Sequence, residues 1–195
     1  MARVVILKDN VPKVFTTIQA LVDKQVLVGI PESNDFRKED DAHDIGNAGI
    51  GYAMEFGLPA SNVPARPFLI PGVAKARNAS LAQMQKAAAA ALSGDTAGMN
   101  AALSNAGSVA ASEVKLMIDS NIPPPLSPET IRNRRYARKT KSARKSEQDY
   151  LDMVTKGVSP ALAQATTGIK SLFNTGQLLR SITYVVRKVS SRARS

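Results

Sequence analysis

The chain has 195 residues, 44% of them hydrophobic but only 5% aromatic, with neither Trp nor Cys and a formal net charge of +10. That length supports one full-sized domain, or a domain plus an extended arm. The absent thiols exclude a disulfide framework, a thiolate metal site and a cysteine nucleophile, and no apolar run nears the roughly 20 residues of a membrane span.

In chain order, residues 4–7 (VVIL) are a short apolar run that reads as a first strand or as an arm added to a neighbour. The first eight residues lack the long apolar region and small-residue cleavage site of a signal peptide, so a cytoplasmic protein is expected. Asn10 is placed to cap a helix with Pro12 in its first turn, where a missing N–H costs little. Val14, Ile18, Leu21 and Val22 recur at helical spacing, so residues 11–24 read as an amphipathic helix. Residues 25–30 (QVLVGI) are rich in β-branched side chains and stopped by Pro31, which reads as a strand. Residues 32–44 are polar and mostly acidic, a solvated loop.

Residues 47–56 read as a short helix, with Gly57 placed to end it in the left-handed conformation. A loop punctuated by Pro59, Pro64 and Pro67 follows. Pro71 and Gly72 lead into an Ala-rich helix reaching Leu92, with Leu81, Met84, Ala88 and Leu92 on one face. After the break at residues 93–96, Met99, Leu103, Ala106, Ala110, Val114 and Met117 mark a second long helix. The short turn predicts an antiparallel pair, whose Ala residues and Gly107 allow close backbone approach. Residues 122–128 (IPPPLSP) are too rich in Pro for helix or central strand and read as extended, with Ser127 capping the turn that follows.

Charge is unevenly placed. Residues 1–129 carry 11 basic and 13 acidic side chains, whereas residues 130–195 carry 15 and 3. Eight of those cations fall in residues 132–145 with no acid among them: Arg132, Arg134, Arg135, Arg138, Lys139, Lys141, Arg144 and Lys145. Such a block is expected to stay solvated until it meets a partner. Residues 150–168 read as a connector. After Thr175 and Gly176, residues 182–187 alternate as a strand does, and the tail 190–195 is expected to fray. The predicted architecture is α+β: a small, mainly antiparallel sheet packed by one short and two longer helices, with an extended basic arm. Residues 1–131 form the core, 132–168 the basic arm, and 169–195 the turn and strand that complete the sheet.

Tests for chemistry fail one by one. The lone His43 lies among Glu39, Asp40, Asp41 and Asp44, a loop that cannot preorganise ligands. Asn174-Thr175-Gly176 has Asn where an aspartic protease needs a carboxylate, and no second copy. It reads as a turn in which Thr175 accepts backbone N–H bonds and Gly176 supplies conformational freedom. No phosphate-cradling glycine loop is present. Glu55, beside an apolar helix end, is expected to pair with Arg66. Arg66 precedes Pro67, which biases its backbone to the extended region. Its guanidinium then clamps a carboxylate or carbonyls within the fold, or reaches across a subunit interface. Phe68 lies beneath as an anchor. For the basic block three readings stay open: DNA phosphate, acidic partner surfaces, or a solubilising arm. Tyr136 and Tyr150 are too few aromatics for a single-strand stacking platform.

Five ordered segments carry a resemblance: Val28-Gly29-Ile30-Pro31; Asn47-Ala48 with Glu55-Phe56-Gly57; Val63-Pro64-Ala65-Arg66-Pro67-Phe68; Pro124-Pro125-Leu126-Ser127-Pro128-Glu129-Thr130-Ile131; and Thr175-Gly176-Gln177-Leu178-Leu179-Arg180-Ser181-Ile182. Together they resemble the neck and tail-completion proteins of tailed bacteriophages, including the virion-morphogenesis proteins of Mu-like and lambdoid phages. Asn174 stands where that turn often has Asp, and residues 136–168 run longer than the family pattern.

The resemblance implies a non-enzymatic structural virion protein, assembled in the host cytoplasm and built into the head–tail junction. It implies a homo-oligomeric ring, sixfold, around the DNA channel, with portal-side adaptor and tail-tube-side terminator proteins as neighbours. No cofactor, metal or membrane is expected. Glu55, Phe56, Gly57, Pro64, Arg66, Pro67, Phe68, Thr175 and Gly176 are the expected interface or structural residues. The rival reading is a free-standing basic nucleic-acid-binding protein. A nuclease, which would have to draw on Asp40 and Asp41, is disfavoured.

Overall fold

The computed structural model describes residues 10–37, 45–137 and 140–189. The apolar run 4–7, the acidic stretch with His43, Arg138, Lys139 and the tail 190–195 lie outside the described residues. The fold is α+β and helix-rich, with one two-stranded antiparallel sheet among the described residues. The chain divides into two compact units: Met1–Gly29, Val73–Ser112 and Thr183–Ser195 in one, Ile30–Gly72 and Glu113–Ile182 in the other.

The first unit contains α1 (Val11–Val22), β1 (Lys24–Gly29), β2 (Thr183–Lys188) and the larger parts of α3 (Leu69–Leu92) and α4 (Thr96–Asp119). The expected N- and C-terminal strands pair with each other, Val26 opposite Val186 and Val28 opposite Tyr184. Side chains alternate along a strand. Val26 and Val186 therefore pack with Ile18 and Leu21 of α1 on Ala87, Ala91, Met99 and Leu103, leaving Leu27 and Val185 partly exposed. Within this unit α3 and α4 run antiparallel. Ser80 Oγ donates to Ala106 O at 3.1 Å, and Asp95 caps α4 by accepting from Gly98 N at 2.9 Å.

Three sequence expectations need correcting in this unit. Asn10 occupies the N-cap of α1 but makes no side-chain cap bond, its backbone being already helical. Leu81 and Met84 are 50% and 41% exposed; the buried face of α3 is Ala76, Ala87 and Ala91. Small side chains win here because they let the neighbouring elements approach. Gly107 makes room for a ring of the sheet rather than for α3, since a Cβ there would lie 2.4 Å from Tyr184 Cδ2.

The second unit holds α2 (Asn47–Phe56), α5 (Pro128–Ala137), α6 (Lys141–Thr155), α7 (Pro160–Thr167) and α8 (Gln177–Ser181), with the remaining turns of α3 and α4. Its core gathers Leu126, Ile131, Tyr150 and Ala163, with Leu151, Val154 and Ile169 around them. In the same unit Gly72 meets the α4 backbone, a Cβ there falling 2.7 Å from Val114 Cα. Arg132, Arg134, Arg135, Lys141, Arg144 and Lys145 of the basic block lie not in an extended arm but in α5 and the first turns of α6, and the expected connector 150–168 is the end of α6 plus α7. Arg, Lys, Gln and Glu are good helix formers. Ile131 and Tyr150 give the two basic helices a buried side.

Candidate functional site

The second unit is organised around backbone groups that side chains from elsewhere must satisfy. Helix α2 begins at Gly46, which has no side chain to cap it. Asp35 does this instead, its Oδ1 accepting from Ala48 N at 2.6 Å while its carbonyl accepts from Asn47 N at 2.9 Å. A Cβ at Gly46 would lie within 2.5 Å of that carboxylate, so a larger residue there would have to displace the cap. Asn47 is buried and fully engaged: Nδ2 donates to the carbonyls of Asn34 and Phe36, and Oδ1 accepts from Arg37.

The same device recurs at α3. Glu55, 5% exposed, accepts from Phe68 N and Leu69 N at 2.7 Å through Oε2 and from Ile70 N at 3.0 Å through Oε1. Pro71 has no N–H, and Gly72 N makes the first helical bond to Phe68 O. All of the orphan amides that open a helix are thereby accounted for. A carboxylate at that end is also favoured by the helix dipole. This explains why α3 starts at Leu69, ahead of Pro71 and Gly72. The expected Glu55–Arg66 ion pair is not formed.

Arg66, also 5% exposed, serves a different stretch of backbone. Its Nε donates to Pro124 O at 2.9 Å and its Nη2 to Pro125 O at 3.3 Å, so it clamps carbonyls within the fold. Burial lowers its pKa from the ordinary value, but a guanidinium keeps its proton. Its own N–H donates to Met54 O at 2.6 Å. Between these anchors the chain doubles back: Leu58 and Val63 exchange backbone bonds, and Gly57 adopts φ +78, ψ 166. That is not the left-handed helix cap expected but an extended conformation open essentially to glycine alone. A Cβ would also sit 2.9 Å from Ala65 N.

The proline segment is bolted from its other side as well. Leu126 N donates to Gln164 Oε1 at 2.8 Å and Leu126 O accepts from Tyr150 Oη at 2.6 Å. Gln164 Nε2 donates to Asn121 Oδ1 and to Ser171 Oγ. Arg134, expected among the possible DNA contacts, donates to the carbonyls of Lys170 and Ser171. Phe56, Val63, Arg66, Pro125, Thr130 and Arg134 are among the walls of a cleft of about 720 Å³.

The structure thus brings together Glu55, Phe56, Gly57, Arg66 and Phe68. Phe68 is buried, whereas Pro64 and Pro67 are exposed on the loop. Thr175 and Gly176 form a separate corner. Gly176 is left-handed at the start of α8, Thr175 Oγ1 accepts from Gln177 N at 3.5 Å, and Arg180 donates to Thr175 O at 3.0 Å. Of the basic block, Arg132, Lys141, Arg144 and Lys145 are exposed and Arg135 is partly so. The roles of Gln164, Tyr150, Asn121 and Asp35 escaped sequence reasoning, because each holds a main-chain group distant in the chain, which leaves no residue-type signature. Among the described residues no group of His, Cys, Asp and Glu is placed to hold a metal ion. No described helix is long and apolar enough to cross a membrane. No protein-family model, curated protein or solved structure matches the chain.

Proposed function

We propose that the chain is a structural subunit of a tailed-phage particle, docked copy to copy in a sixfold ring that joins head to tail. One observation carries this reading: Glu55 and Arg66, buried and opposite in charge, are both engaged by backbone rather than by each other. They fix the α2–α3 loop and the proline segment. Groups committed in this way are not available to bind a substrate or move a proton. What they accomplish is shape.

The fixed loop stands beside an outward aromatic pair, Tyr52 and Phe56, with ring centroids 4.9 Å apart and exposures of 66% and 57%. Aromatic side chains held on a preformed surface bury large area for little lost rotamer freedom. A ring closes through heterologous contacts between copies, and a rigid aromatic face suits one side of such a contact. In this reading the neighbours are the portal-side adaptor and the tail-tube-side terminator, with genomic DNA passing through the channel. The protein itself is not an enzyme.

The test is genetic and visual. An early stop codon in this gene, in the phage that carries it, should leave filled heads and finished tails unjoined in electron micrographs, with joining restored by the gene in trans. Normal joined particles at wild-type titre would overturn the proposal.

A further inference from the structure

The α5–α6 hairpin concentrates exposed cations near one helix end. The first turns of α6 hold Lys141, Arg144 and Lys145, all exposed. That helix has no acidic residue in its first turn, and Thr140 makes no side-chain cap bond. The positive end of the helix dipole favours anions. Three cations there oppose the local rule, and proteins break such rules mainly at functional sites. On α5, Arg132 and Arg135 line a groove with Tyr136, which is 79% exposed, and with Gln148 and Asp152 of α6.

We propose that this face of the hairpin is a contact surface for the phosphate backbone of duplex DNA. Its charge is complementary to a polyanion, since residues 132–145 carry eight basic side chains and no acidic one. Protein interfaces are instead poor in Lys and built on central apolar anchors; here Tyr136 is the aromatic in the groove. One aromatic is also too few to stack the bases of a single strand. Contacts confined to phosphate give binding that is blind to sequence and steep in salt. The surface stands on its own charges and geometry, independently of the ring.

The experiment measures binding of the full chain to a fluorescent 30-base-pair duplex by anisotropy between 50 and 200 mM NaCl. Five contacting cations predict a log–log salt slope of about −4.5, or roughly 500-fold weakening across that range. Replacing Arg132, Lys141 and Lys145 by Gln should reduce the steepness by about 2.7. An equal change of charge elsewhere, Arg77→Gln with Lys86→Gln and Arg187→Gln, should leave the slope nearly intact. Melting temperature provides a second readout: because two of the three cations oppose the α6 dipole, the hairpin variant should melt no lower than wild type. Equal losses from the two triple variants would reduce the effect to overall net charge and overturn the proposal. So would binding to poly-glutamate without binding to the duplex, which would point to an acidic protein. A loss of affinity that merely tracked a lowered melting temperature would overturn it too. None of these outcomes bears on whether the subunit joins heads to tails.

Discussion

In the first unit, elements approach because side chains are small: Ala87 and Ala91 meet Met99 and Leu103, and Gly107 admits the Tyr184 ring. In the second, the half-buried Asp35 and the buried Asn47, Glu55, Arg66, Tyr150 and Gln164 each hold main-chain groups of a distant segment. The first kind of packing tolerates substitution wherever size is kept. The second is intolerant, because a buried donor or acceptor that loses its partner costs more than the bond itself contributed. That asymmetry fits a molecule whose α2–α3 loop and proline segment must keep one shape.

The sharpest way to break the contrast is Glu55→Ala. It strips acceptors from the amides of Phe68, Leu69 and Ile70 and should cost about 3–5 kcal/mol in urea unfolding. Glu55→Gln, which keeps one acceptor oxygen, should cost less than half of that. Next is Arg66→Lys. An ammonium cannot reproduce the guanidinium fork to Pro124 O and Pro125 O, so a loss of about 2 kcal/mol is expected despite the conserved charge.

Tyr150→Phe should cost about 1–2 kcal/mol at neutral pH, by leaving Leu126 O without its donor. Burial raises the Tyr150 pKa above the ordinary 10.0. A raised folded-state pKa means the stabilisation is complete below the ordinary value and is lost as pH rises through the folded one. The gap between wild type and Tyr150→Phe should therefore narrow above about pH 10 in thermal melts. Smallest of all, Leu81→Gln with Met84→Gln on the outward side of α3 should change stability by under about 0.5 kcal/mol. A cost of several kcal/mol would show that this side is covered in the folded protein.

Much of this was legible in the sequence where the signal is local. Residues 47–56 announce a helix that the structure starts and stops at those positions, and residues 25–30 and 182–187 announce the two strands that pair. Arg66 was legible as a clamp, since Pro67 restricts the backbone before it. Its target was not, because Pro124 lies 58 residues away and a carbonyl is the same for every residue type. Glu55 was misread for the same reason: opposite charge suggested Arg66, while three nonlocal amides offered a better-satisfied site. On α3 the hydrophobic pattern favoured Leu81 and Met84 by size, but close approach selected Ala76, Ala87 and Ala91. The charge of residues 132–145 masked the two buried anchors, Ile131 of α5 and Tyr150 of α6, that give those helices a core-facing side.

The reading that these fittings serve an assembled particle is tested most directly by counting this chain in purified virions with isotope-labelled peptide standards. Six copies per joined particle is the expected result. Complete absence from virions, in cells that make the protein abundantly, would contradict it.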